Sequence, residues 1–164
     1  MAYQYQNQVS GAQAVTASAV STDSIELGAS GFPRDIGEGT DIYANFVCTT
    51  TVADTGSNST VTFQVIGATD AALTSGVVVL GSSGAFANGS AQLTIPSGAS
   101  TGGVPVTPVS VRVNPQMFSA GLRYIGVQYV IGNGDLSAGA FTAYFAPHPH
   151  SDSRKFYPSG WTVA

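Results

Sequence analysis

The amino-acid sequence predicts an all-β protein, a two-sheet antiparallel jelly roll or β-sandwich, and three observations lead to this fold class. Apolar and polar residues alternate with a period of two in several separate segments, which is the pattern of strands that bury one face. Clusters of Gly, Asn, Ser and Asp separate these segments, as turns do. Helical periodicity is nearly absent. About eight short strands at this spacing are typical of a sandwich or jelly roll.

The alternation of apolar and polar residues is clearest in three segments, namely 42–48, 61–65 and 121–131. Their inward-facing residues are predicted to be Ile42, Ala44, Phe46, Cys48, Val61, Phe63, Val65, Ile125, Val127, Tyr129 and Ile131. Shorter strands are expected over 24–27, 76–80, 91–95, 104–113 and 140–146. Gly132-Asn133-Gly134-Asp135 accepts positive φ and predicts a hairpin between the last two strands.

The chain divides into one sandwich and two flanking segments. Its 164 residues suit a single domain. The strand pattern covers residues 13–146, between a Gln-rich N-terminal extension (1–12) and an extended C-terminal arm (147–164). Prolines block a helix or a central strand in the arm, yet the arm contains three large aromatic residues. Exposed apolar surface marks interaction sites, so the arm is expected to lie on its own sandwich or on a neighbouring molecule.

The charge pattern argues against several function classes. Charged residues make up 9% of the chain and the net charge is −4, so a low-charge surface packed against neighbours is expected, although many extracellular β-domains share it. The five cations, which form no stripe, are Arg34, Arg112, Arg123, Arg154 and Lys155. Phosphate binding needs several clustered cations, so we expect no nucleic-acid partner. We also expect no membrane partner, because no apolar run reaches transmembrane length, and no signal peptide at the N-terminus.

Two groups of polar residues could in principle bind a metal. His148, His150 and Asp152 would point the same way on an extended chain, but no fourth ligand is evident and the prolines beside His148 explain the segment as a stiff spacer. Asp35, Glu38 and Asp41 do not have the spacing of an EF-hand, and a turn is favoured over calcium binding or glycoside hydrolysis. We therefore expect no metal and no cofactor.

The sequence also predicts that the protein is not an enzyme. Both histidines lie in the arm, so neither a Ser-His-Asp nor a Cys-His arrangement is expected on the sandwich. Cys48 is the only cysteine, which excludes an internal disulfide. Its position on the inner face of a strand predicts a buried, inert thiol.

Three segments carry a resemblance to a known family: 13–28 (QAVTASAVSTDSIELG), 34–37 (RDIG) and 122–132 (LRYIGVQYVIG). They resemble the cement, or decoration, proteins of tailed-phage capsids of the Bordetella-podophage type. The resemblance implies a jelly roll on the outer surface of an icosahedral head, where it would bridge subunits of the major capsid protein. It also implies a homo-oligomer on a symmetry axis, with a dimer favoured over a trimer, and location in the virion.

Two other function classes remain open. A glycan-binding adhesion module would need exposed aromatic residues on one face, and Tyr124, Tyr129 and Tyr144 are available, although alternation turns Tyr129 inward. An extracellular matrix or pilus-like subunit would need an export signal. For the cement function, the interface is expected to include Arg154, Lys155, Phe156, Tyr157 and Trp161, together with Tyr3 and Tyr5.

Overall fold

The computed structural model describes residues 7–27, 41–95, 107–114, 122–147 and 149. Within these residues the protein consists of strands, turns and loops and contains no helix; consequently, none of the described segments is a helix that could span a membrane. The described strands are β1 (Gln8–Ala14), β2 (Ala19–Val20), β3 (Ile25–Glu26), β4 (Tyr43–Ala53), β5 (Thr60–Ala68), β6 (Val78–Ser82), β7 (Phe86–Ala87), β8 (Val109–Arg112), β9 (Tyr124–Gly132) and β10 (Ala138–Ala146).

The strands form two antiparallel sheets, as predicted. The first sheet has the order β1-β10-β4-β8, and the second has the order β2-β9-β5-β6, with β3 added beside β9 and β7 beside β5. The chain passes repeatedly from one sheet to the other, which produces the double-sheet jelly roll. The predicted fold class is confirmed.

An aromatic cluster fills the space between the sheets. Phe46 from the first sheet lies 4.8 Å from Phe63 of the second, measured between ring centroids. Phe141 lies 5.2 Å from Phe63 and stacks on Tyr129 at 5.3 Å. Offset and edge-to-face pairs of this kind stabilise a core beyond their burial alone. The alternation therefore identified the correct inner faces of β4, β5 and β9.

At both edges of the sandwich, hydrogen bonds connect the first sheet to the second. At one edge, the side-chain amide of Gln13 donates to the carbonyl of Val20 at 2.7 Å, and Asp23 N donates to Val9 O at 3.0 Å. At the other edge, Asn114 N donates to Leu80 O at 2.8 Å. Since unpaired edge strands are the usual templates for strand addition, these bonds leave less backbone available to another chain.

The predicted hairpin between β9 and β10 is wrong. Asn133 and Gly134 do have positive φ, 62° and 119°, but β9 pairs with β5 while β10 pairs with β4 and β1. Residues 133–137 therefore cross between the sheets. Ser137 N donates to Ala53 O, which fixes the start of β10 beside the end of β4.

Most other expected strands are present with slightly different bounds, and the largest differences are these. Residues 91–95 form no strand, because Leu93 lies in a turn closed by its own N–H bond to Ser90 O. Only Val109–Arg112 of the expected strand 104–113 is a strand, and residues 104–106 lie outside the described residues. The boundary placed after residue 12 falls within β1, since Gln8 already pairs with Tyr144.

Candidate functional site

The two chain termini leave the described sandwich side by side. β1 begins at Gln8 and β10 ends at Ala146, and Phe145 N donates to Asn7 O at 3.0 Å. We call this end, defined by Asn7, Ala146 and the β4–β8 pair Tyr43 and Arg112, the termini end. All seven residues predicted as interface residues lie outside the described residues; they are Tyr3, Tyr5, Arg154, Lys155, Phe156, Tyr157 and Trp161.

An ion pair and a tyrosine lie at the termini end. Asp41 precedes β4 and contacts Arg112 of β8 over 2.6 Å, with both side chains more than half exposed. Tyr43 is the direct cross-strand partner of Arg112, and its hydroxyl donates to Asp41 Oδ2 at 3.4 Å. Arg and Tyr are the residue types enriched at binding hot spots. The ion pair between Asp41 and Arg112 is not evident from the sequence, because the proximity of these residues depends on the register between β4 and β8.

The ion pair with Arg112 involves one of the three acidic residues that were considered as calcium ligands, namely Asp35, Glu38 and Asp41. Asp41 is held by Arg112, whereas Asp35 and Glu38 lie outside the described residues. The described residues contain no group of three side chains of the kind that binds metals. His148, His150 and Asp152 lie outside the described residues as well.

Asp54 acts as a cap for the loop between β4 and β5 at the opposite end of the sandwich. Its carboxylate accepts hydrogen bonds from the backbone N–H groups of Gly56, Asn58 and Ser59, at 3.0–3.1 Å. Hydrogen bonds from Ser59 and these backbone groups lower the pKa of Asp54 to about 2. A carboxylate stabilised in this way stays ionised at neutral pH and organises a turn rather than transferring protons.

The three tyrosines considered for glycan binding lie in three different places. Tyr129 is fully buried between the sheets. Tyr124 is on the outer face of the second sheet, opposite Ala68, whereas Tyr144 is on the outer face of the first sheet, opposite Asn45. These side chains therefore form no common aromatic platform.

A loop covers part of the outer face of the second sheet. Leu73, from the loop between β5 and β6, packs on Ile66 and Ala68, with Tyr124 beside them. Asp70 fixes this loop by accepting hydrogen bonds from Thr74 and Ser75, and these bonds lower the pKa of Asp70. Beside the loop, Val77 and Val79 are the large apolar residues among those described that are exposed.

Cys48 has the inert environment that the sequence predicted. Its side chain is 3% exposed, and its Sγ donates to Thr50 O at 3.1 Å. Burial raises the pKa of the thiol, so the nucleophilic thiolate is disfavoured.

The comparison with known protein families gives a match that covers most of the chain. The model of the Bbp16 family matches residues 9–145, which begins inside β1 and ends inside β10 and so spans both sheets. The name of that family indicates a Bordetella phage protein, in agreement with the phage origin that the resemblance implies. No curated protein matches the chain.

Proposed function

The chain belongs to the Bbp16 family, and on that basis we propose that it is a structural virion protein that acts as a capsid cement. In this function it binds the outer surface of an icosahedral phage head, where it bridges subunits of the major capsid protein. It is a homo-oligomer, with a dimer favoured over a trimer, and needs no cofactor. The match over residues 9–145 is the observation that carries the proposal.

The fold and the composition support this function. Double-sheet jelly rolls are a recurrent architecture of viral capsid domains and of lectins. A chain with 9% charged residues, compared with about 25% in ordinary soluble domains, suits a protein whose surface is covered by neighbours. The separation of Tyr124 from Tyr144 on opposite faces supports the capsid function over the glycan-binding alternative.

A cement protein of this kind stabilises the shell by mass action. If it binds the assembled lattice and not the free subunits, its binding free energy is added to that of the assembled state. One copy that touches two or more subunits gains further from effective concentration, because the second contact becomes intramolecular. Individual contacts of modest affinity are then sufficient to stabilise the shell.

The geometry favours contacts through an end of the sandwich rather than through strand addition. Hydrogen bonds such as Asn114 N to Leu80 O leave less edge backbone available, whereas the termini end presents Tyr43, the cross-strand partner of Ala146, with Arg112 on the next strand. We assign the shell contact to this end. The N-terminal tyrosines and the aromatic and basic residues of the arm, named above, would add to it.

Co-sedimentation with undecorated phage shells tests the function. Purified protein is mixed with shells at increasing ratio and fixed salt, and the bound fraction is read from the pellet. The proposal expects saturable binding at a fixed number of copies per shell, and no further binding to shells that already carry their full complement. Non-saturable binding, or none, would overturn it.

The position of the contact is tested by two matched arginine substitutions. Arg112 and Arg123 are both half exposed and each forms an ion pair, with Asp41 and Glu26 respectively. Arg112 lies on β8, at the edge of the first sheet, whereas Arg123 directly precedes β9 of the second sheet. Both arginines lie at the termini end, so the comparison asks which sheet of that end makes the contact. Arg112→Ala is expected to weaken shell binding more than Arg123→Ala. Equal affinities would show that Arg112 has no larger part in the contact than Arg123.

A further inference from the structure

The crossing between β9 and β10 contains an Asn-Gly step, and we propose that Asn133 is a site of spontaneous deamidation through a succinimide. Asn133 and Gly134 are both exposed. The backbone there is left-handed, with φ of 62° at Asn133 and 119° at Gly134. A residue without a side chain at the second position lets its backbone nitrogen approach the asparagine amide closely, and asparagine is a thermolabile residue for this reason.

The reaction needs only water. Gly134 N attacks Asn133 Cγ, a N–Cγ bond forms, and the Cγ–Nδ2 bond breaks; the leaving nitrogen departs as ammonia, taking up the proton that Gly134 N loses. Water then opens the five-membered imide at either carbonyl. The products are aspartate or isoaspartate at position 133, and in the second case the main chain gains one carbon atom.

The surroundings of Asn133 leave the reacting groups accessible. No hydrogen bond is seen among the described residues to the Asn133 side chain or to Gly134 N, whereas Ser59 Oγ donates to Gly134 O at 3.4 Å. The turn therefore fixes the carbonyl of Gly134 but neither the nucleophile nor the amide that it attacks.

A second Asn-Gly step, Asn88-Gly89, provides an internal comparison. Asn88 is half buried and its N–H donates to Ser59 O at 3.0 Å. A bond from Ser90 N to Ala87 O closes the turn around this step. Because the chain is held on both sides, Asn88 has less freedom to reach the geometry of the imide, so the folded protein is expected to react first at Asn133.

Deamidation of Asn133 would change the charge and the chain length at the end of the sandwich opposite the termini end. A carboxylate at position 133 would lie two residues from Asp135, so the turn would carry two negative charges. Isoaspartate would also lengthen the crossing just before Leu136, whose side chain is 4% exposed and whose N–H donates to Thr16 O. The crossing would then no longer match the register at the start of β10.

Peptide mapping of the aged protein tests the proposal. The full-length folded protein is incubated at mildly alkaline pH, digested, and analysed by mass spectrometry, with isoaspartate detected by enzymatic methylation. Asn133 is expected to deamidate several-fold faster than Asn88 in the folded protein and at a similar rate in urea. The variant Asn133→Gly, which accepts the same positive φ, should lose the acidic species on ion exchange. An intact Asn133, or faster reaction at Asn88 in the folded protein, would overturn it.

Discussion

The hydroxyl of Tyr129, in the second sheet, donates a 2.9 Å hydrogen bond to Ser10 Oγ in the first sheet. Ser10 Oγ in turn lies 2.9 Å from Gln13 Oε1 and 3.2 Å from Phe141 O. Gln13 Nε2 continues the network to Val20 O. A polar chain thus crosses an otherwise apolar core and joins β1 to both sheets. Burial raises the pKa of Tyr129, so the phenol remains a donor under all ordinary conditions.

Tyr129→Phe is therefore expected to destabilise the protein by about 1 kcal/mol, because it removes one buried hydrogen bond while Ser10 keeps its other partners. This corresponds to a fall of about 2–4 °C in the unfolding temperature of a protein of this size. Tyr124→Phe is the control, since Tyr124 lies on an outer face and the structure shows its ring, not its hydroxyl, in contact with Arg123. Equal unfolding temperatures for the two variants would contradict the account.

Gly81→Ala is expected to destabilise the edge where β6 meets β8. A Cβ at Gly81 would lie 2.3 Å from the backbone oxygen of Arg112 and 3.0 Å from Val111 Cγ1, so a strand must move, at a cost of about 1–3 kcal/mol. Gly84→Ala is the matched control, because no atom lies within 4 Å of its added Cβ. Urea unfolding separates them; a Gly81→Ala midpoint equal to that of Gly84→Ala would show that the edge is not closed in this way.

The lowered pKa of Asp54 predicts that the folded protein loses stability in acid. Its pKa is about 2 in the folded protein, whereas the ordinary pKa of an aspartate side chain is 3.8, so the ionised form is favoured by folding. Its contribution is fully present above about pH 4 and is lost as the pH falls towards 2. Asp54→Asn should flatten the pH dependence of the unfolding temperature in this window. Part of the slope should remain, since the pKa of Asp70 is also lowered; an unchanged slope would argue against the cap.

Deletion of residues 147–164 is expected to leave the sandwich folded and to weaken shell binding. β10 ends at Ala146, and the bond from Phe145 N to Asn7 O is retained, so the described sheets keep all their strands. The unfolding temperature reports the fold and co-sedimentation reports the affinity. A truncated protein that decorates shells with the affinity of the full chain would show that the arm has no part in the contact.

Cys48→Ser is expected to lower stability by about 1–2 kcal/mol, because a more polar hydroxyl replaces the thiol in a buried site. Its hydroxyl can still donate to Thr50 O, which limits the loss. Shell binding by the folded variant should be unchanged, since Cys48 faces the core. Loss of binding in a variant with intact folding would contradict this assignment.

The period-two pattern was sufficient to predict the long strands and their buried faces. Val61, Phe63 and Val65 are each at most 1% exposed, as are Val127 and Tyr129, because alternation directly reflects which side of a strand meets the core. The turn at Asn133-Gly134 was also recognised from its sequence. Its role was not, since a local turn signal is the same whether the next strand pairs with the last one or crosses to the other sheet.

The features that the sequence did not reveal depend on contacts between distant segments. Gln13 looked like the beginning of the sandwich after a Gln-rich extension, whereas its amide is a cross-sheet donor to Val20 O. The proximity of Asp41 and Arg112, which are 71 positions apart, likewise follows only from strand pairing. The two-residue strands β2, β3 and β7 are too short to show any period.

The thermal stability of undecorated shells in the presence of this protein tests the central claim most directly. If the protein is a capsid cement, the shell's melting temperature should rise with added protein and reach a plateau at the stoichiometry found by co-sedimentation, because ligand that binds only the assembled state stabilises it by mass action. A shell whose melting temperature is unchanged at saturating protein would contradict the proposed function.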